Sequence, residues 1–416
     1  MSETTSGIAV IGSGIIGTLT ALTLLQKNHR VTLIERDLDA LCCSTGNAGS
    51  LSASLVTPVG MPGIWKKVPS MLMDPDGALS IKPSYALQAM PWLLAFLKAS
   101  QPEAVQKIAA GLHQLSRPAV DSYRNILQKI GALDLLTVTG QLHVYTSEAA
   151  RDNDAMGWRM RREYGADVQF LNEQELRALE PDVSPRYKQG VYIPTDGIIV
   201  NPKRLLHTLR DQFAAAGGRI VQTQVQQIRP HSDKVDLITT QQTSTFNKVV
   251  IAAGAWSTQL TQQLGDNLPL QTQRGYHAVI PNPAVNIKRP VVAAEAKVFA
   301  TPMEMGLRFA GTVEFAKLDS PPTQRRVESL LRNGMSLFPA ITEAQAQQHT
   351  HWMGNRPCMP DSLPVLDYAS SNKNVIYAFG HGHLGVTHAP ASVDLVVQLV
   401  EGEAAKNQAF SARRFV

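Results

Sequence analysis

Gly12, Gly14 and Gly17 stand in the order Gly-x-Gly-x-x-Gly, and Glu35 closes the apolar run that follows. That spacing suits a pyrophosphate. The first glycine permits a tight turn, the second lets a phosphate approach the backbone, and the third lets helix and strand pack closely. The helix behind them offers N–H groups and a positive dipole end to an anion. Glu35 can accept hydrogen bonds from ribose hydroxyls, and a carboxylate there disfavours a 2′-phosphate, so NADP is a poor candidate. The glycines alone do not separate NAD from FAD. Their place at the start of a long chain, with related α/β fragments far downstream, favours FAD.

Arginine's planar fork binds a carboxylate bidentately, and Arg356 and Arg274 are the candidates for that role. For Arg274 a surface or interdomain salt bridge is an equal alternative. Tyr276 beside it either orients a substrate or packs in a strand core. The loop Gly380-His381-Gly382-His383-Leu384-Gly385 lies between an apolar run and a helical pattern. A glycine-lined helix N-terminus can stabilise negative charge, and His383 can either donate to it or serve only the loop's own structure. Residues 44–51 are small and polar, suited to lying against a flat ring or a pyrophosphate, or simply to forming a loop. Cys42, Cys43 and Cys358 give neither a disulfide framework nor a zinc pattern, and no metal is expected.

The elements that must position these residues are legible around them. Residues 8–11 and 31–35 read as strands flanking a helix that ends near Lys27. Pro202 starts a second helix, closed by Gly217-Gly218 before the strand at Arg219. Residues 248–256 and 375–380 read as buried strands ending at glycine, the latter followed by a helix from near Val386 to about Val400. Between these pieces, residues 57–196 carry turns and long helical patterns, whereas residues 259–349 alternate like strands. The apolar helical stretch Tyr85–Ala99 reads as core, with a lid or membrane-facing patch as the alternative. The expected domains are therefore an FAD-binding domain of residues 1–56, 197–258 and 350–416, and a substrate-binding domain of residues 57–196 and 259–349.

The whole chain has 416 residues, 44% of them apolar and 18% charged, which is an ordinary globular composition with room for two cores. The net charge of +5 is spread along the chain and does not argue for nucleic acid. The start of the chain lacks the pattern of an export signal, and no apolar run is long enough to span a bilayer. Cytoplasmic location is the expectation, with peripheral contact to the inner face of the membrane.

Four segments together resemble the D-amino-acid dehydrogenase branch of the FAD-dependent amine oxidoreductases, relatives of D-amino-acid oxidase, glycine oxidase and sarcosine oxidase. They are the N-terminal unit continued by Cys43–Leu51; Met73-Asp74-Pro75-Asp76-Gly77 through Pro91-Trp92-Leu93-Leu94; Arg274-Gly275-Tyr276-His277; and Arg356–Pro364 with Gly380–Gly385. The resemblance implies an α/β protein. Its parts would be a discontinuous Rossmann-like FAD-binding domain of the glutathione-reductase type and an α+β substrate domain on an antiparallel sheet. It places Thr45, Asn47, Ala48 and Gly49 at the flavin and Arg356 on the substrate carboxylate. It extends the cofactor-binding set to Ile15, Arg36, Ser44, Leu51, Val225, Gly254, Trp256, Gly382, His383, Leu384 and Gly385, and the catalytic set to Arg274, Tyr276 and His383. Cys358 lies only three residues before Asp361, nearer than the covalent-flavin pattern requires, so non-covalent FAD is expected. The implied reaction is hydride transfer from Cα of a D-amino acid, or of D-proline or D-hydroxyproline, to flavin N5. An imine and then a 2-oxo acid would follow, with electrons leaving for a membrane quinone or another acceptor other than O₂. The alternatives are a glycine- or sarcosine-type oxidase using O₂, an NAD(P)-dependent dehydrogenase, and a non-catalytic flavin-binding or assembly protein.

Overall fold

The computed structural model describes residues 3–4, 7–74, 77, 79–403 and 408–415. Pro75 and Asp76 of the second resembling segment lie outside the described residues. The chain divides into two compact units: Met1–Thr45, Lys203–Thr272 and Arg356–Val416 form the first, Gly46–Pro202 and Gln273–Asn355 the second.

The first unit is built on a sheet that, among the described residues, has six strands. Their order is Arg219–Gln222, Val31–Glu35, Ile8–Ile11, Lys248–Ile251, Val375–Phe379 and Val365–Tyr368. The pairs are parallel except at the last edge. Parallel strands are covered on both faces, which explains the unbroken apolar runs at Ile8–Ile11 and Val375–Phe379, every residue of which is buried. Helix Ile15–Gln26 returns the chain from the first strand to its neighbour and packs against helix Gly385–Val400. Helix Pro202–Ala215 begins on its proline and is followed by Gly217 at φ +89°, a left-handed stop that a side chain would strain.

The second unit has its own sheet, of nine strands among the described residues. From its edge strand Thr350–Cys358 it runs through Gln271–Ile280, Gly306–Phe315, Val298–Met303, Val291–Ala293 and Gln141–Tyr145. Most pairs are antiparallel, but Val291–Ala293 lies parallel to Gln141–Tyr145 and Leu79–Ile81 parallel to Gly306–Phe315. The sheet is therefore mixed rather than purely antiparallel. Tyr276, Ala278, Phe309, Leu330 and Phe338 belong to its core.

One local reading of the sequence needs correction. Residues 259–349 are not strands throughout, because Gln324–Leu337 is a helix. Its buried residues Val327, Leu330, Leu331, Gly334 and Leu337 follow helical spacing and pack on the sheet. Arg356 and Pro357 lie near the end of the strand Thr350–Cys358, and the turn that follows comes after Met359, with Ser362 at φ +66°. Among the described residues no helix is long and apolar enough to cross a membrane.

Candidate active site

In the first unit the three glycines are fixed by contact rather than by sequence custom. A Cβ on Gly17 would lie 1.8 Å from the Gly12 carbonyl oxygen, and one on Gly12, at φ +100°, would lie 2.5 Å from that of Ala252. Gly14 differs: the nearest atom to its would-be Cβ is Ser44 Oγ at 3.3 Å. The first and third glycines thus allow close packing, and the second leaves backbone exposed for a ligand. Gly14 caps helix Ile15–Gln26 without a side-chain acceptor, and the Ile15 N–H donates to Ser44 Oγ at 2.9 Å.

Glu35 is tied to the same turn. One carboxylate oxygen accepts from the Ser13 N–H (2.7 Å) and hydroxyl (3.0 Å), the other from the Arg36 N–H (2.8 Å). Arg210 completes the frame, donating to the Ser13 carbonyl at 2.7 Å and to the Leu38 carbonyl at 3.1 Å. Sequence reasoning missed Arg210, which lies 197 positions from Ser13 and has no local signal. Arg36 lies over the Trp256 ring, 4.6 Å from its centroid, and Gly254 at φ +56° opens the short helix that carries Trp256. Val225 starts a strand and packs, partly buried, against the core around Ile34.

Three further segments of this unit meet around Arg356. The Gly382 N–H donates to the Pro357 carbonyl at 2.8 Å, and Cys358 forms an isolated bridge with His381. The glycine loop is thereby pinned alongside the end of Arg356's strand, with Gly380 and Gly382 in the left-handed region. Leu384 caps the helix that begins at Gly385. The Arg356 side chain keeps partial exposure. Desolvation is the largest influence on its guanidinium and lowers its pKa, opposed by the nearby Cys358 and Cys43 thiols. His383 presents an exposed surface. Its imidazole is lowered by desolvation first and by the Arg356 charge second, so it is neutral at pH 7. His381 is the structural histidine of the pair, with Nε2 3.0 Å from Ser392 Oγ and burial holding its pKa down to about 3. Burial pushes the Cys358 thiol up to about 12 and raises Cys43 further, so neither is a thiolate at neutral pH. Thr45, also buried, donates its hydroxyl to the Cys42 carbonyl at 2.8 Å.

The rest of the predicted cofactor loop belongs to the second unit. Asn47 Oδ1 accepts from the Gly49 N–H at 2.8 Å, with Ala48 partly exposed between them. Gly49 sits at φ +74°, where a Cβ would lie 2.5 Å from the Ile199 carbonyl oxygen; fully buried Leu51 pairs with Gly197. Two residues that sequence reasoning did not select hold this loop. His277 Nδ1 donates to the Gly46 carbonyl at 3.0 Å while its ring stacks on Trp352, and burial takes its pKa down to about 3. Arg308, buried, donates to the Asn47 carbonyl, its Nε has no hydrogen-bond partner among the described residues, and desolvation lowers it to about 10.

For Arg274 and Tyr276 the structure shows the alternatives to substrate binding. Arg274 is fully buried, its fork spent on Glu314 at 3.1 Å and the Ser320 carbonyl at 2.7 Å. The Tyr276 hydroxyl donates to Glu314 at 2.7 Å and accepts from the Thr323 N–H at 2.9 Å. Both sit in the sheet core of one unit, and Arg274 Nη1, paired by charge with Glu314 but without a hydrogen-bond partner among the described residues, is buried with them.

The profile of the FAD dependent oxidoreductase (DAO) family matches residues 7–399. A Bradyrhizobium diazoefficiens protein named D-amino-acid oxidase is 38% identical over 95% of both chains. The chain belongs to the FAD-dependent oxidoreductase family. The cofactor of that family, FAD, fits what the first unit provides: a glycine turn with one open backbone face, an acidic strand end, and the Arg36–Trp256 pair. A Vibrio atlanticus D-amino acid dehydrogenase is 28% identical over 98% of this chain and all of its own. Among solved structures, glycine oxidase from Geobacillus kaustophilus superposes with a TM-score of 0.75 at 24% identity, over 99% of this chain and 100% of its own. L-proline dehydrogenase from P. horikoshii gives 0.76 at 16%, over 100% and 98%. These likenesses show a shared fold. This member of the family is accordingly an FAD-dependent amino-acid oxidoreductase.

Proposed function

We propose that this chain oxidises the Cα–N bond of a D-amino acid, or of a cyclic D-imino acid such as D-proline or D-hydroxyproline. Full-length identity to relatives named for D-amino acids supports the stereochemistry. The observation that carries the site assignment is the convergence of Arg356, the Cys43 segment and His383 beside the Gly380–Gly385 loop.

Each residue then has a task. The turn at Gly12–Gly17 and the N-terminus of helix Ile15–Gln26 hold the FAD pyrophosphate; Glu35 takes ribose hydroxyls with its remaining lone pairs; Arg36 and Trp256 flank the adenosine end. FAD, when bound, supplies the two-electron acceptor for the hydrogen leaving Cα. Arg356 grips the substrate carboxylate through two parallel charge-assisted bonds and so fixes which Cα bond faces the reaction. His383, neutral at pH 7, hydrogen-bonds through its ring nitrogens without adding a second positive charge beside Arg356. The substrate amine reacts uncharged; the imine of a primary amine hydrolyses to a 2-oxo acid and ammonia, whereas a cyclic substrate gives a cyclic imine that keeps its nitrogen. Protonated Cys358 favours non-covalent FAD.

Electrons pass on to a membrane quinone or another acceptor other than O₂. The second reading, an oxidase that reduces O₂, draws on the 38% identical relative named as one. Stopped-flow mixing of reduced protein with air-saturated buffer separates them: slow reoxidation supports the dehydrogenase, turnover-competent reoxidation the oxidase.

The deciding experiment is anaerobic bleaching of the flavin against D-amino acids, L-amino acids, D-hydroxyproline and sarcosine. Bleaching by D-substrates alone is expected, and bleaching by none overturns the proposal. Arg356→Lys should lower kcat/KM by about a hundredfold or more, since it removes one arm of a bidentate ionic contact, while FAD content stays unchanged.

A further inference from the structure

Within the first unit, Arg356 and the Gly380–Gly385 loop are joined through one turn. Met359 leads into it, Ser362 stands at φ +66°, and Pro364 leads out to the strand Val365–Tyr368. A Cβ on Gly380 would lie 2.7 Å from Met359 Cγ and 3.5 Å from Pro364 Cα, so both ends of the turn press on the loop. A non-glycine residue in the left-handed region persists only where its surroundings hold it there. Inside the turn, the Ser362 N–H donates to the Met359 carbonyl at 3.2 Å and the Leu363 N–H to Asp361 Oδ1 at 3.2 Å.

A brace reaches the same turn from residues 408–415. Phe410 and Ala412 are buried. The Asp367 carboxylate accepts from the Ser411 hydroxyl at 2.6 Å and the Ala412 N–H at 3.0 Å, which seats the segment on the edge strand. Arg414 then extends its guanidinium to both neighbours of Ser362. It meets the Asp361 carboxylate through Nε at 2.7 Å and Nη2 at 3.4 Å, and Nη2 also donates to the Leu363 carbonyl at 2.7 Å. Nη1 returns to the Ser411 carbonyl at 2.8 Å, and the guanidinium lies over the Phe415 ring, 4.4 Å from its centroid. At 15% and 14% exposure, the Arg414–Asp361 pair is largely withdrawn from solvent. A solvated ion pair would contribute little, whereas this two-pronged one fixes orientation.

We propose that Arg414 is a positioning residue for substrate binding. By gripping Asp361 and Leu363 it holds Ser362 in its left-handed conformation, and the turn so held sets Arg356 in register with the Gly380–Gly385 loop. The path is short: Asp361 follows Arg356 by five positions, and the Gly382 N–H is bonded to the Pro357 carbonyl. The role asks for a planar fork with several fixed donors, which a lysine ammonium does not reproduce. The proposal deepens the reading above and rests on it for the task of Arg356 on the substrate carboxylate.

The test uses FAD-loaded full-length protein and reads two quantities. The first, amide hydrogen exchange, does not depend on turnover. Arg414→Met keeps a stem over Phe415 and removes the fork. It should speed exchange in residues 359–364 and 380–385 about tenfold and leave the strand Ile8–Ile11 unchanged. The second is the split between KM and kcat with the D-amino acid that bleaches wild type fastest. KM should rise about tenfold with kcat altered less than about twofold, because a carboxylate grip is made in the ground state as well as in the transition state. Arg414→Lys should restore part of both effects. Asp361→Asn should reproduce them and add little to Arg414→Met. These two variants carry the test if Arg414→Met fails to fold. Arg413→Met, in the same segment but exposed, should match wild type. Three results overturn the proposal: unchanged exchange around the turn, exchange raised equally in the strand Ile8–Ile11, or faster exchange with KM unchanged. Absence of bleaching by any amine overturns the reading of Arg356 instead, and exchange still decides whether Arg414 holds the turn.

Discussion

The turn at Gly12–Gly17 and the strand Gln271–Ile280 are both built around buried polar groups, yet they work by opposite means. The turn acts through its backbone: side chains are absent where they would collide, and peptide groups are left facing a ligand. The strand acts through side chains: Arg274, Tyr276 and His277 are each committed to partners 38 to 231 positions away. A backbone device tolerates change in its neighbours but not in its glycines. A side-chain network tolerates loss of two opposite charges together better than loss of one.

Substitutions can break this contrast. The largest effect belongs to Gly17→Ala, which forces a carbon into the Gly12 carbonyl; loss of FAD binding by at least about a hundredfold is expected, read from flavin absorbance after gel filtration. Gly14→Ala meets only Ser44 Oγ, so the fold should survive, with unchanged melting temperature and FAD affinity reduced about tenfold. If both alanines behaved alike, packing would not distinguish the glycines. In the strand, Glu314→Gln leaves Arg274 as a buried uncompensated charge and should cost about 3–5 kcal/mol in urea unfolding. The pair Arg274→Met with Glu314→Gln should recover much of it. Additive losses in that cycle would dissolve the idea of a shared network.

A smaller effect concerns Asp196 in the same unit. Its buried carboxylate accepts from the Ser54 N–H and hydroxyl, each at 3.2 Å, and desolvation raises its pKa to about 6, opposed by Arg161. The folded pKa lies above the ordinary value of 3.8, so its contribution to stability is full below pH 3.8 and is lost as pH rises through about 6. Relative to Asp196→Asn, wild type should therefore lose about 3 kcal/mol or less between pH 4 and pH 8. A flat difference in unfolding free energy across that range would refute this.

The same contrast explains what could be read from the amino-acid sequence. The glycine turn, the strand-closing Glu35 and the loop Gly380–Gly385 announce themselves locally, because conformational demands fall on the residues that meet them. Arg274 and Tyr276 could not be sorted between substrate and structure, since Glu314, Ser320 and Thr323 reach them only through the sheet. Arg210 and Arg308 escaped notice, and His277 was given no role beyond its segment, for the same reason: each holds a backbone carbonyl far along the chain, and any arginine or histidine could do so. The helix Gln324–Leu337 was obscured by the strands around it, although its buried positions keep helical spacing. His381 and His383 show the limit most plainly. Two residues apart in one loop, one is locked to Ser392 and the other faces outward, and nothing in their spacing says which.

The frame of Ser13, Glu35 and Arg210 makes the shape of the nucleotide turn depend on a residue 197 positions along the chain. The turn is thus a property of the folded unit rather than of its own short segment. The glycine motif cut out as a peptide would keep its spacing and lose the braces that give the spacing its shape.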